Sequence, residues 1–303
     1  MFFYKADKGK NRWYLYLIVT LLVFIGTQLG SMPLIIYALI QQPEQVMQGD
    51  ISGIMSTNWG LALGLLSFVG GLFTLFWFAY LFQDKKPLNM VTGRTDFDWK
   101  RFFFGTGIWI LLSLAGVAVS FLFEDTSDLV FQFDPWNFFI LVVVALIMLP
   151  FQTGFEEVMF RGYLMQGSYL LFNSKWAAVF ATSLLFGLMH GSNPEVEQFG
   201  YGLAMSQYIL MGLIMGAIVV WDDGLELAIG MHFGNNLLSA LLITSDSSAL
   251  QTHALFKDTN PSASWTDVVM LLVGGVLFIW ICHKKFRFSR LNFDTSRRIM
   301  NKS

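Results

Sequence analysis

The sequence predicts an all-α polytopic membrane protein, a helical bundle with about eight transmembrane helices. Of its 303 residues, 55% are hydrophobic and 17% aromatic, whereas only 13% are charged. The mean hydropathy of +0.56 lies above the range of soluble domains. Apolar stretches of about twenty residues recur from Tyr14 to Cys282 and leave no room for a separate soluble core. We therefore expect a single integral membrane domain over residues 1–303.

Each apolar stretch is long enough, or nearly so, to cross a bilayer. The predicted spans cover residues 14–40, 58–82, 102–123, 136–154, 176–191, 201–221, 225–244 and 265–282. The first is too long for a signal-peptide core and has no obvious cleavage site, so we expect it to be retained. Four tryptophans fall at span ends, as interfacial aromatic residues do: Trp59, Trp136, Trp221 and Trp265.

The positive charges predict the orientation of the bundle, because cytoplasmic loops carry an excess of lysine and arginine. All 19 of these residues except Lys257 fall on one side of the predicted bundle. Both the N and C termini are therefore expected in the cytoplasm. The sequence has no basic stripe with interleaved aromatic residues, so we expect no nucleic-acid partner. Cys282, the only cysteine, excludes an internal disulfide.

Three clusters of polar residues stand out because ionisable groups at bilayer depth are costly and usually functional. They are EEVMFR, with Glu156, Glu157 and Arg161; FGLMH, with Phe186 and His190; and HFGNN, with His232 and Asn236. Together they supply acids, imidazoles, an amide and a guanidinium. This inventory favours hydrolysis over transport.

Simple helix geometry predicts that these clusters meet. Glu156 precedes Asn173 by as many residues as His190 follows it, so an antiparallel hairpin turning near Asn173 would place the two side chains at one height. His232 comes shortly after Gly224, at a comparable depth from the same side. We expect one shared site that opens toward the cytoplasm.

The residue types allow two kinds of chemistry. A carboxylate and an imidazole can activate a water molecule, while a second imidazole and an amide stabilise the oxyanion. Alternatively, Glu156, His190 and His232 could bind zinc. The sequence predicts no obligatory cofactor and leaves zinc possible. Taken singly, Glu157 and Arg161 could be only an i,i+4 ion pair, and each histidine could be a packing residue.

The three motifs resemble the EExxxR, FxxxH and HxxxN signatures of the CAAX protease and bacteriocin-processing family, which includes Ras-converting endopeptidases and many bacterial proteins. The resemblance covers a catalytic core of about residues 150–245. It implies that Glu156 and His190 activate water, that His232 and Asn236 form the oxyanion pocket, and that Glu157, Arg161 and Phe186 support the site. It also implies a bacterial cell membrane protein.

The predicted function is therefore that of an intramembrane endopeptidase acting on a peptide or protein substrate within the lipid bilayer. Bacteriocin or peptide maturation, self-immunity and CAAX-type processing share these residues. Two other readings stay open: a catalytically silent immunity or scaffold protein of the same fold, and a proton-coupled transporter that uses the buried acid and imidazole groups. The absence of a visible inverted repeat counts against the transporter.

Overall fold

The computed structural model describes residues 2–123 and 126–288, and helices dominate them. Its elements, in order, are α1 (Trp13–Gln41), α2 (Pro43–Met47), α3 (Ser52–Met55), α4 (Asn58–Gln83), α5 (Pro87–Val91), α6 (Trp99–Phe123), β1 (Leu129–Phe131), α7 (Pro135–Glu157), a π-helical segment (Val158–Leu164), α8 (Met165–Phe172), α9 (Lys175–Met189), α10 (Pro194–Phe199), α11 (Tyr201–Asp222), α12 (Glu226–Leu242), β2 (Ile243–Thr244), β3 (Phe256–Asp258) and α13 (Trp265–Phe286). A short 3-10 turn, Phe3–Lys5, precedes them.

The predicted class is confirmed: this is a polytopic all-α bundle. Within the described residues, six helices are long and apolar enough to cross a membrane, the run from α7 to α8 counting as one. The other two predicted spans correspond to α9 and α12, which have 15 and 17 residues. Helix α9 ends directly before His190, and α12 carries His232 and Asn236. The basic C-terminal tail from residue 289 onward lies outside the described residues.

The predicted hairpin is also confirmed. The helix that begins at Pro135 does not end at residue 154 but continues through the π-helical segment to Phe172. Asn173 then adopts a left-handed conformation with φ of 49°. Ser174 caps α9 by accepting a hydrogen bond from the Ala177 N–H at 3.2 Å. The chain therefore reverses at Asn173, as the spacing of Glu156 and His190 requires.

Helix α12 lies inside the bundle, packed against α6, α7 and α11. Its glycines allow the approach to α6, since a Cβ on Gly234 would lie 2.9 Å from the Thr106 carbonyl oxygen. Every residue from Glu226 to Gly234 is buried. Because protein rather than lipid surrounds it, α12 tolerates polar side chains that would be costly on a lipid-facing helix.

One face of the bundle is held by a network of charged groups. Arg101 Nη1 lies 2.6 Å from Asp222, and Arg94 Nη1 lies 3.0 Å from Glu226. The Phe2 N–H donates to Asp223 at 2.6 Å, which fixes the N-terminal segment to the turn between α11 and α12. These bonds close the bundle on this face, which also carries Lys5 and Lys85. We call it the face rich in lysine and arginine.

The same face contains a buried lysine. Lys85 Nζ donates to the Ala6 carbonyl at 3.0 Å, and both residues are buried. Burial lowers the pKa of Lys85 to about 8, because the charged ammonium loses its hydration. This contact adds a second attachment between the N-terminal segment and the end of α4.

The opposite face carries a small sheet with strand order β1-β3-β2, in which β1 is antiparallel and β2 parallel to β3. Its Lys257 pairs with Asp246 at 2.7 Å. Helix α10 and the segment between α12 and α13 lie on this face as well: the Gln198 side chain donates to the Pro261 carbonyl. We call this surface, formed by residues 192–200 and 243–261, the loop face.

The orientation predicted from charge can be tested with introduced cysteines. Asp50→Cys and Ser192→Cys are expected to react with an impermeant maleimide in intact cells, and Lys100→Cys is expected to react only after permeabilisation. All three positions are exposed, and the native Cys282 is buried, so background labelling should be low. Labelling of Lys100→Cys in intact cells would contradict the predicted orientation.

Candidate active site

The best-connected group of predicted residues is the buried triad of Glu157, Arg161 and His232. Glu157 Oε1 accepts from Arg161 Nη1 at 2.9 Å and from His232 Nδ1 at 2.8 Å. Glu157 and Arg161 are both 0% exposed. The carboxylate therefore links α7 to α12 and fixes the His232 ring, with Nδ1 toward Glu157 and Nε2 turned the other way. Such an ion pair deep inside the protein differs from the solvent-exposed i,i+4 pair that the spacing alone would suggest.

The second carboxylate faces the other side of the same ring. Glu156 Oε2 lies 3.7 Å from His232 Nε2, too far for a direct hydrogen bond but within ion-pair range. Glu156 is 8% exposed and His232 is 5% exposed. The two neighbouring glutamates thus play different parts: Glu157 holds the ring, and Glu156 borders the space beyond it.

His190 follows the end of α9 and has a defined tautomer when neutral. Its Nδ1 lies 2.7 Å from the Phe186 carbonyl oxygen. A carbonyl can only accept, so Nδ1 carries the hydrogen and Nε2 keeps its lone pair. The ring also stacks on Tyr208, with centroids 4.4 Å apart and an interplanar angle of 27°. Both contacts restrain the ring beside the cavity.

Phe186 has a packing role between the two halves of the site. The Arg161 guanidinium lies 4.2 Å from the centre of the Phe186 ring, a cation–π contact. The same ring is 4.5 Å from the His190 ring and 6.2 Å from the His232 ring. Phe186 therefore separates the buried guanidinium from both imidazoles.

Asn236 lies one helical turn beyond His232 and belongs to a chain of amides. Asn235 Nδ2 donates to Asn236 Oδ1 at 3.2 Å, and Asn236 Nδ2 lies 3.4 Å from Gln152 Oε1. Trp109 Nε1 donates to Asn235 Oδ1 at 3.2 Å. Asn236 makes no hydrogen bond to His232 among the described contacts, so the two side chains reach the cavity independently.

The side chains of Glu156, His190, His232 and Asn236 line one cavity of about 310 Å³. The structure therefore brings together all four residues that sequence reasoning proposed as catalytic. Other lining residues were not anticipated: Gln152, Asn193, Glu195, Tyr208, Asn235 and Ser239. Gln152 could have been found, because it precedes Glu156 by four residues and shares its helical face. Tyr208 and Glu195 lie on other elements and carry no recognisable spacing.

The direction of the cavity corrects one expectation. Its described lining runs from Glu156 and His232 toward Ser239, Ala249 and Glu195, at the loop face. None of the described lining residues comes from the face rich in lysine and arginine. The expectation that the cavity opens on the face rich in lysine and arginine was therefore wrong. The physical reason is packing: the buried layer around Glu157 and Arg161 fills the space on the side of that face.

The π-helical segment begins directly after Glu157. Segments of this type are often found at functional sites, because the wider turn changes the direction of the following side chains. Here Arg161 lies inside the segment and still reaches Glu157, while Glu156 stays directed into the cavity. No feature of the sequence indicated this change of helix type.

A zinc ion would place a specific demand on three of these side chains. Zinc would need Glu156, His190 and His232 to converge on one point. Among the described residues, no group of three or more His, Cys, Asp or Glu side chains is arranged to hold a metal ion. His232 uses Nδ1 for Glu157 and His190 uses Nδ1 for a carbonyl. Among the described contacts both Nε2 atoms stay free of hydrogen bonds, as they are in metal-ligating histidines. The described side chains nevertheless do not converge as zinc requires, and we derive no chemical step through the ion.

Fold and composition define the chain as an integral, multi-pass membrane protein. Residues 135–238 match the family model described as type II CAAX prenyl endopeptidase Rce1-like. These residues are thus similar to the Rce1-like family, which that description gives as endopeptidases. All three motifs lie inside the matched residues.

A curated relative extends the similarity beyond this domain. The chain is 29% identical to the uncharacterized protein YyaK of Bacillus subtilis (strain 168) over 215 residues, which are 69% of this chain and 71% of YyaK. No solved structure matches the chain.

Proposed function

We propose that this protein is an intramembrane endopeptidase that hydrolyses a peptide bond with a water molecule activated by Glu156 and His190. The observation that carries the proposal is the convergence of Glu156, His190, His232 and Asn236 on one cavity, with His232 fixed by the buried Glu157. A carboxylate, a neutral imidazole nitrogen and two further polar donors around a space for a peptide are what general acid–base hydrolysis requires.

In the proposed reaction, water binds between the Glu156 carboxylate and His190 Nε2. Glu156 takes one proton as the water oxygen attacks the carbonyl carbon. The proton on Glu156 is then given to the amide nitrogen as the C–N bond breaks. The products are a peptide with a new carboxyl group and a peptide with a new amino group, so the atoms of water are fully accounted for.

The negative charge of the tetrahedral intermediate falls near His232 and Asn236. The Asn236 amide can donate a hydrogen bond to this oxygen, and His232 can donate from Nε2 as the imidazolium, since its Nδ1–H is donated to Glu157. Glu157 and Arg161 contribute indirectly: they orient the His232 ring and keep it in place. Preorganised donors of this kind stabilise the transition state without moving.

The first test is direct. Purified protein in detergent is incubated with a peptide library, and the products are identified by mass spectrometry, with Glu156→Ala as the reference. Cleavage by the wild type alone supports the proposal and identifies the substrate sequence, which also separates peptide maturation from CAAX-type processing. Peptide binding without cleavage would instead indicate the silent immunity or scaffold protein.

Metal dependence has its own test. We expect the purified protein to keep its activity after exhaustive chelation, because no three His, Cys, Asp or Glu side chains among the described residues are arranged to hold a metal ion. The measurement is the cleavage rate before and after dialysis against a chelator, with zinc content by elemental analysis. Loss of activity that zinc alone restores would contradict the metal-free scheme.

A further inference from the structure

The exposure of the cavity lining changes systematically along its length. At one end, Glu156 and His232 are buried. At the other end, Ser239 and Ala249 are exposed, although Ser239 lies within the span of α12. A cavity with a buried end and an exposed end has one open side. Here that side is the loop face.

The opposite route is closed by packed side chains. Glu157 and Arg161 lie directly behind the buried end of the cavity. Beyond them, Gly162 packs so closely that a Cβ there would lie 3.3 Å from Leu225 Cδ1. Leu225 and Met90 are both fully buried. A peptide approaching from the face rich in lysine and arginine would therefore have to displace the core.

The open side is also held in a defined shape. The Ala249 N–H donates to Glu195 Oε1 at 2.6 Å, which ties α10 to the turn after β2. The described cavity lining contains the carboxylates of Glu156 and Glu195 and no lysine or arginine. Neutral or basic residues next to the scissile bond therefore suit this entrance better than acidic ones.

We propose that the substrate is a peptide segment on the extracytoplasmic side of the membrane, which enters the cavity from the loop face. This inference rests on the proposed function and adds the side of access to it. The distribution of lysine and arginine places the charged face in the cytoplasm and hence the loop face outside. The substrate class is then a translocated peptide or an extracytoplasmic segment of a membrane protein, rather than a cytosolic protein terminus.

The closing experiment compares the two faces of the same membrane. A fluorogenic, membrane-impermeant peptide, taken from the sequences cleaved in detergent, is added to right-side-out spheroplasts and to inverted membrane vesicles. We expect cleavage to be about tenfold or more faster with spheroplasts, because the peptide cannot cross a hydrocarbon core about 30 Å thick. Detergent should remove the difference.

Cysteine labelling tests the side of access independently of cleavage activity. Ser239→Cys should react with an impermeant maleimide in spheroplasts and not in inverted vesicles, and Lys100→Cys should show the reverse pattern. Cleavage and Ser239→Cys labelling confined to inverted vesicles would overturn the side of access while leaving the protease intact. Absence of cleavage even in detergent would overturn the proposed function itself, whatever the labelling pattern.

Discussion

Glu156→Gln is expected to lower the rate of peptide cleavage by about 10²–10⁴-fold, the range associated with loss of a general base. Glutamine keeps the size and most of the polarity of glutamate, but its amide cannot take a proton from water. Because Glu156 makes no direct hydrogen bond to His232, the substitution should leave the buried Glu157 contact and the fold unchanged. The measurement is the initial cleavage rate of purified protein in detergent, together with its melting temperature.

The matched control is the same substitution at Glu197, an exposed residue of α10 that does not line the cavity. Glu197→Gln should keep the wild-type rate. If Glu156→Gln also cleaved at the wild-type rate, Glu156 would not be the general base. A parallel loss of rate and melting temperature in Glu156→Gln would point to a structural role instead.

The membrane fold was predictable because hydropathy over some twenty residues is a strong signal. The structure places α1 and α4 within one residue of the predicted limits at each end. The weaker predictions were those for α9 and α12, which have only 15 and 17 residues. A sequence window averages the whole helix surface and cannot tell which neighbours it has.

The meeting of the three motifs was predictable for a different reason. Equal spacing from Asn173 fixes the relative heights of Glu156 and His190 in any regular antiparallel hairpin. The partner of His232 was not predictable, since Glu156 and Glu157 are adjacent and point to different sides of the helix. Only coordinates assign the ring to Glu157 and leave Glu156 at the cavity.

The side on which the cavity opens could not be read from the motifs at all. Motif spacing gives the depth of a residue along a helix, and depth is the same whichever end is open. The outcome depends on residues with no motif: the packing of Leu225 behind the site and the exposure of Ser239 in front of it. Opening is a property of the packing around a site rather than of the site itself.

Arg161→Ala is expected to destabilise the protein by about 3–5 kcal/mol, because it leaves the Glu157 carboxylate charged and buried without its cation. It also removes the guanidinium that packs on the Phe186 ring. The measurement is thermal or denaturant-induced unfolding in a fixed detergent. Activity should fall as well, since Glu157 positions His232.

A double variant at positions 157 and 161 distinguishes the effect of the buried charges from the effect of side-chain volume. In Glu157→Gln/Arg161→Met both charges are removed and much of the volume is kept, so most of the lost stability should return. Cleavage should stay below the wild-type rate, because the neutral amide at position 157 is a weaker acceptor for His232 Nδ1 than a carboxylate. Stability and activity would then respond differently to the same pair of residues. Wild-type stability and activity in Arg161→Ala would show that the buried pair neither stabilises the bundle nor positions His232, and the indirect role proposed for Glu157 and Arg161 would have to be abandoned.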